Sequence, residues 1–175
     1  MEEKHVKDIM IPIEDYAVVS QDATIKEAMK IMKETSEKLS PGKYKHLGVL
    51  VKDQEGKIIG KLTQADILRG LEPQYKDIGG SYLSPLIREE MGDAMAHLPD
   101  RTFFERCRAH SNKKVRAFMT TIALSVDIRE DLSHAVHVML ISDHRGLLVV
   151  EGKKPVGVLR LTDIYQLVKQ TILEE

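Results

Sequence analysis

One pattern occurs twice in this chain, and it limits the possible folds more than any other feature. The first copy contains Gly60-Lys61-Leu62-Thr63-Gln64-Ala65-Asp66-Ile67, and the second contains Gly157-Val158-Leu159-Arg160-Leu161-Thr162-Asp163-Ile164. Both read Gly, any residue, Leu, a variable stretch, then Asp-Ile. Each is preceded by an apolar run, Leu47 to Val51 or Leu147 to Val150, and by a polar turn, Asp53-Gln54-Glu55-Gly56 or Glu151-Gly152-Lys153-Lys154. An apolar run, a Gly-containing turn and a β-branched run together predict a pair of antiparallel strands. Further upstream, Ile25, Ala28, Met29 and Met32 fall at i, i+3, i+4, i+7, and so do Leu132, Ala135, Val136 and Met139. Each set predicts one apolar stripe of an amphipathic helix. Thr24 with Glu27 has capping-box spacing, and Asp131 stands at the matching helix start.

Extended pieces precede each helix: Asp8-Ile9-Met10 and Val18-Val19-Ser20 in one copy, Ala117-Phe118-Met119 and Leu124-Ser125-Val126 in the other. The expected architecture is α/β (α+β): two β-α-β-β-α repeats packed as one pseudo-symmetric module. The boundaries are 6–71 for repeat 1, 72–114 for an inserted helical linker and 115–172 for repeat 2. A unit of about 60 residues buries too little surface to be stable alone, so the copies are expected to share a core. In the insertion, Gly79-Gly80 and Ser84-Pro85 precede Leu86, Ile87, Met91, Met95 and Leu98 at roughly helical spacing. A second helix is expected to start at Asp100 and to carry Phe103, Phe104 and Cys107.

Composition excludes several classes. The chain has 175 residues, 42% apolar and 30% charged, with a net charge of −1, which is typical of a globular protein rather than a disordered one. Near-neutrality argues against whole-chain adhesion to nucleic acid or an anionic membrane. Aromatic residues are only 5% with no Trp, so base-stacking platforms are not expected. There is no apolar run long enough to span a bilayer, and the charged start Met1-Glu2-Glu3-Lys4-His5 lacks a signal-peptide core. The lone Cys107 cannot form an internal disulfide. A cytoplasmic protein is expected.

Asp8-Ile9-Met10, the helix at Thr24, the strand pair and Gly60-x-x-Thr63-x-x-Asp66 resemble a CBS domain. The second copy repeats the pattern with Phe118-Met119-Thr120 and Gly157-x-x-Arg160-x-x-Asp163, so the chain resembles a tandem CBS pair, or Bateman module. The resemblance implies a non-catalytic sensor that binds an adenosine-containing ligand (AMP-, ADP- or ATP-like, S-adenosylmethionine or NAD) in clefts between repeats. It also implies a homodimer that regulates a partner protein. The ligand would act as a regulator, with no cofactor required.

At such a motif, Thr63 falls at a helix N-cap, where a phosphate is favoured by free N–H groups and the helix dipole. Asp66 lies in the first turn, where a carboxylate can accept two ribose hydroxyls. The same spacing also serves as a plain helix cap. Arg160 replaces the threonine in the second copy, where it can either reach a phosphate as a charged fork or fill the cleft; Asp163 keeps the carboxylate. By position in the family, Ile11 and Pro12, and Thr120 and Thr121, line the base pocket. His46 and His144 stand where the family often has a basic residue, with Gly48 and Gly146 in place of a proline. Because histidine changes charge near neutrality, these two would make affinity fall as pH rises through that range.

Three other readings compete. A CBS-like scaffold with degenerate clefts is favoured by Arg160 and the missing prolines. An enzyme is disfavoured because no Walker loop, Gly-x-Ser-x-Gly or His-Glu-x-x-His is present and Cys107 has no assignable base. Nucleic-acid binding would rest on Arg101, Arg106, Arg108, Lys113, Lys114 and Arg116, a basic stretch that also suits a solvated helix face. Cys107 with His110, and His134 with His137, are three apart, but a closed zinc site needs about four ligands, so no metal is expected.

Overall fold

A computed structural model describes residues 4–39, 48–71 and 101–173. Repeat 1 contributes β1 (Ile11–Pro12), β2 (Val18–Ser20), α1 (Ile25–Leu39), β3 (Gly48–Lys52), β4 (Ile58–Thr63) and α2 (Gln64–Leu71). The insertion contributes α3 (Arg101–His110). Repeat 2 contributes β5 (Thr120–Thr121), β6 (Ser125–Asp127), α4 (Leu132–Ile141), β7 (Gly146–Glu151), β8 (Lys154–Arg160) and α5 (Leu161–Leu173). A 3-10 turn opens each repeat, Val6–Asp8 and Val115–Ala117. The expected α+β repeat architecture is therefore present. The first part of the insertion, with Gly79-Gly80, Ser84-Pro85 and the apolar series from Leu86 to Leu98, lies outside the described residues.

The two repeats exchange their lead-in segments. One sheet runs β2-β3-β4-β5 and the other β1-β8-β7-β6. Thus β5 of repeat 2 completes the sheet of repeat 1, with Gly60 opposite Thr121 and Lys61 opposite Thr120. Reciprocally, β1 completes the sheet of repeat 2, with Pro12 opposite Gly157 and Ile11 opposite Val158. The two glycines allow this close approach. A Cβ on Gly60 would lie 2.8 Å from the Thr120 carbonyl oxygen, and one on Gly157 would lie 2.6 Å from that of Ile11.

The cores are exchanged as well. Val115 is fully buried in the first core, among Val19, Ile25, Val49, Val51 and Leu62. Val6 is fully buried in the second, among Val126, Leu132, Leu147, Val149 and Leu159. Backbone bonds fix both: Val115 N–H donates to Ala23 O at 2.8 Å, and Val6 N–H donates to Glu130 O at 2.9 Å. Leu50 and Val158 are buried on the opposite faces of their strands, so each sheet is covered on both sides at its centre.

The helix stripes form with one exception. Ile25, Ala28 and Met32 are buried, but Met29 is exposed; Leu132, Ala135 and Met139 are buried. Thr24 and Glu27 form the expected reciprocal cap, with Glu27 N–H on Thr24 Oγ1 at 3.2 Å and Thr24 N–H on Glu27 Oε2 at 2.7 Å. These bonds hold the Glu27 carboxyl below the ordinary glutamate range. Asp131 takes the N-cap position of α4, but its side chain makes no cap bond and instead faces His5 Nε2 at 3.6 Å. The strand turns use left-handed glycines, Gly56 at φ 84° and Gly152 at φ 64°. Helix α3 docks on repeat 1, where Arg106 Nε donates to the Leu71 carbonyl at 2.9 Å and closes the end of α2.

Candidate functional site

The exchange creates two matched places where a lead-in strand of one repeat meets the strand-to-helix junction of the other. At the first, Thr63 ends β4 and caps α2. Asp66 N–H donates to Thr63 Oγ1 at 3.2 Å, while Asp66 Oδ2 accepts the Thr63 N–H at 2.8 Å and its hydroxyl at 2.6 Å. The Thr63 hydroxyl is therefore turned into the cap in this state, rather than standing free for a phosphate. Asp66 Oδ1 accepts Arg69 Nη1 at 2.9 Å and the Thr120 hydroxyl at 3.0 Å. The carboxylate is 6% exposed and Arg69 75% exposed, so a nearly buried anion is held partly by a solvated cation. Lys61 lies beside the same group. Burial pushes its ammonium below the usual lysine range, and the Asp66 charge opposes that shift. Gly48 packs on Thr63, because a Cβ there would sit 3.3 Å from Thr63 Cγ2.

At the second junction, Arg160 takes the threonine's place at the start of α5. It binds Asp163 through both ends of its fork: Nε donates to Oδ2 at 2.5 Å, and Nη2 donates to Oδ1. Arg160 is 16% exposed and Asp163 22% exposed. Helix α5 starts at Leu161, so Thr162 already lies within its first turn. The guanidinium supplies the donors, and Leu161 N–H is satisfied by the Arg145 carbonyl at 3.1 Å. Tyr16, just beyond β1, lies against this pair. Its phenol is pushed up to about 12, chiefly by burial, with Arg160 lowering it and Asp163 raising it.

The candidate residues are thus brought together across repeats. Thr120 and Thr121 join Thr63 and Asp66, while Ile11 and Pro12 join Arg160 and Asp163. His46 lies outside the described residues. His144 is half-buried, and its Nδ1–H donates to the Ser142 carbonyl at 2.7 Å, which spends that nitrogen on the turn after α4. Sequence reasoning missed Lys61, Arg69 and Tyr16. Arg69 was open to detection as the cation one helical turn beyond Asp66.

Much of the basic stretch is engaged within the chain. Arg106 caps α2, Arg116 Nη1 pairs with Asp22 Oδ1 at 2.9 Å, and Lys113 Nζ meets His110 Nε2 at 2.9 Å. His110 Nδ1 is bonded to the Arg106 carbonyl at 2.7 Å, so it does not turn toward Cys107 as a metal pair would. No group of three or more potential metal ligands occurs among the described residues. Nor is any helix among them long and apolar enough to cross a membrane.

A comparison with protein families matches the CBS domain at residues 6–73 and 115–170, well over half of the chain. The chain belongs to the CBS domain family. Tandem CBS domains are regulatory modules. Solved structures share this CBS-pair fold. An uncharacterized conserved protein from Pyrococcus horikoshii is 17% identical, with a TM-score of 0.62 over 97% of this chain and 96% of that one. The CBS-pair protein CBSX2 from Arabidopsis thaliana is 19% identical, with a TM-score of 0.59 over 98% of each chain. CBSX2 in complex with AMP aligns with a TM-score of 0.61 and 21% identity over 95% of this chain and 97% of that one. No relative was found among curated proteins.

Proposed function

We propose that this protein is a non-catalytic sensor that binds an adenosine-containing ligand at the first junction. The observation that carries the reading is Asp66, a nearly buried carboxylate bonded at once to Thr63 of repeat 1 and Thr120 of repeat 2. Ribose hydroxyls would take over the Oδ1 bonds now made by Arg69 and Thr120, and the released Arg69, with Lys61, would meet a phosphate. Because Thr120 belongs to the exchanged strand β5, that replacement would change how the repeats are tied together, which is the differential contact a sensor needs. Support comes from CBSX2, which has the same fold and is solved with AMP. Thr121, opposite Gly60, completes the candidate ligand contacts at this junction.

The reading extends to assembly. Leu140 and Ile141 of α4 and Tyr165, Val168, Ile172 and Leu173 of α5 leave an apolar face exposed, suited to a second copy in a homodimer. Sedimentation of the wild type and of Ile141→Glu would test it: loss of dimer in the variant is expected, and a monomeric wild type would refute it. The proposed setting is the cytoplasm, where the module would transmit ligand levels to a regulated protein without any cofactor of its own.

The test of ligand binding is thermal stabilisation by AMP, ADP, ATP, S-adenosylmethionine and NAD, on wild type and Asp66→Ala. A ligand at 100 times its Kd stabilises by about 2.7 kcal/mol, and this gain should vanish in the variant. No shift with any of them would instead favour a second reading, an interaction scaffold. That reading draws on one observation: all four Asp66 bonds are already satisfied within the chain.

A further inference from the structure

We propose that Arg160 is a built-in occupant of the second junction, so that the module takes one adenosyl ligand per chain, at Asp66 only. This rests on the reading of the first junction as a nucleotide site. At that site the carboxylate is held by a cap, a neighbouring hydroxyl and one exposed cation, and the cation can leave without emptying the cap. At the second, both carboxylate oxygens are taken by a single fork that is itself mostly buried. A ribose at Asp163 would have to compete with the Arg160 fork at both carboxylate oxygens at once.

The matched positions give such a ligand nothing in return. Thr120, which supplies a hydroxyl to Asp66, corresponds to Ile11, which has none. Lys61 corresponds to Val158, and Arg69 to Gln166, so neither phosphate-ready cation is repeated. The charge on Arg160 is already balanced by Asp163 at contact distance. The half-buried Tyr16 lies against the pair from the lead-in side and adds bulk where Ile11 and Pro12 pass.

The experiment is calorimetric titration with AMP of the full chain, for wild type, Arg160→Thr, and Arg160→Thr combined with Asp66→Asn. Arg160→Thr installs the Thr-x-x-Asp cap that Thr63 and Asp66 form at α2. Arg160→Gln serves as a second variant that keeps bulk but loses the fork. One AMP per wild-type chain and two per Arg160→Thr chain are expected, with one retained when Asp66→Asn is added. Arg160→Gln should show the second site at weaker affinity. Two AMP per wild-type chain would overturn the proposal, as would a variant set in which neither substitution at Arg160 adds a site. No binding by wild type with one site gained in Arg160→Thr would overturn the first-junction reading, and with it the count of one ligand per chain, while upholding Arg160 as the occupant of the second junction. No binding by any of the proteins would overturn both.

Discussion

Asp66 and Asp163 occupy matched positions in the two repeats, yet their carboxylates are satisfied in different ways. Asp66 gathers donors from β4, α2 and the other repeat's β5, and each is a separate group that can be exchanged singly. Asp163 draws on one residue, Arg160, that offers a rigid bidentate fork. Distributed donors make an anion available in steps, whereas a fork makes it available all at once or not at all. One duplicated scaffold can therefore carry an exchangeable site and a fixed ion pair at equivalent places.

A second contrast lies in how each repeat fills the space beneath its exchanged segment. Repeat 1 sets Gly70 against Phe118, and a Cβ on that glycine would fall 2.1 Å from the Phe118 ring. Repeat 2 has Leu167 and Ile9 at the corresponding positions, both packed on its core. Large meets small in one and medium meets medium in the other. Gly70→Leu is expected to have the largest effect, a loss of about 3 kcal/mol or more from overpacking. Combining it with Phe118→Ile transplants the second repeat's pair and should recover most of that loss. Denaturant midpoints of the single and double variants check this, and a double variant no better than the single would break the comparison.

Tyr16 provides the next distinction. Its folded value is raised to about 12 from 10.0, so the folded state holds the phenolic proton more tightly than the unfolded chain does. Its contribution is complete below pH 10 and is lost as pH rises from about 10 to 12, up to about 3 kcal/mol at 1.36 kcal/mol per unit. Alkaline unfolding curves of wild type should steepen over that window, and Tyr16→Phe should flatten them. Equal curves would mean the phenol is not sealed against Arg160 and Asp163.

Smaller effects separate the two helix starts. Thr63→Ala removes the two cap bonds made by the hydroxyl, keeps the one made by the Thr63 N–H, and should cost about 1–2 kcal/mol, read as a lower melting temperature. Arg69→Ala should cost no more than about 0.5 kcal/mol, because its partner arm is solvated, while weakening AMP far more than adenosine. An equal loss for both ligands would remove Arg69 from phosphate recognition.

The repeat, the strand pairs and the helix stripes were legible because they are local: periodicity, turn glycines and capping spacing are written within a few residues of where they act. Helix α3, described over Arg101–His110, carries Phe103, Phe104 and Cys107 as expected, for the same reason. The exchange of lead-in segments was not legible. Ile11 and Val158 pair across most of the chain, and two-residue strands carry no period to reveal it. Met29 was assigned to the stripe on spacing alone, but three stripe positions already cover the core and the fourth turns to solvent. At the site, both carboxylates and the Arg160 alternative were visible from the motif. The inward turn of the Thr63 hydroxyl, the sealing of Tyr16 and the role of Arg69 were not, because each depends on a partner brought in by tertiary packing.

The exchanged segments also set an order in time. During synthesis, α1, the β3–β4 hairpin and α2 all emerge before Val115 and β5, so the first core must wait with a missing wall and an unpaired sheet edge. The second core waits on nothing downstream for Val6, which was made first and must be kept available until Leu159 is complete. Neither half can reach its final form on the ribosome by itself. The junction at Asp66 thus comes into being only once β5 of the second repeat has settled on β4, which makes its completion a report that the two repeats have met.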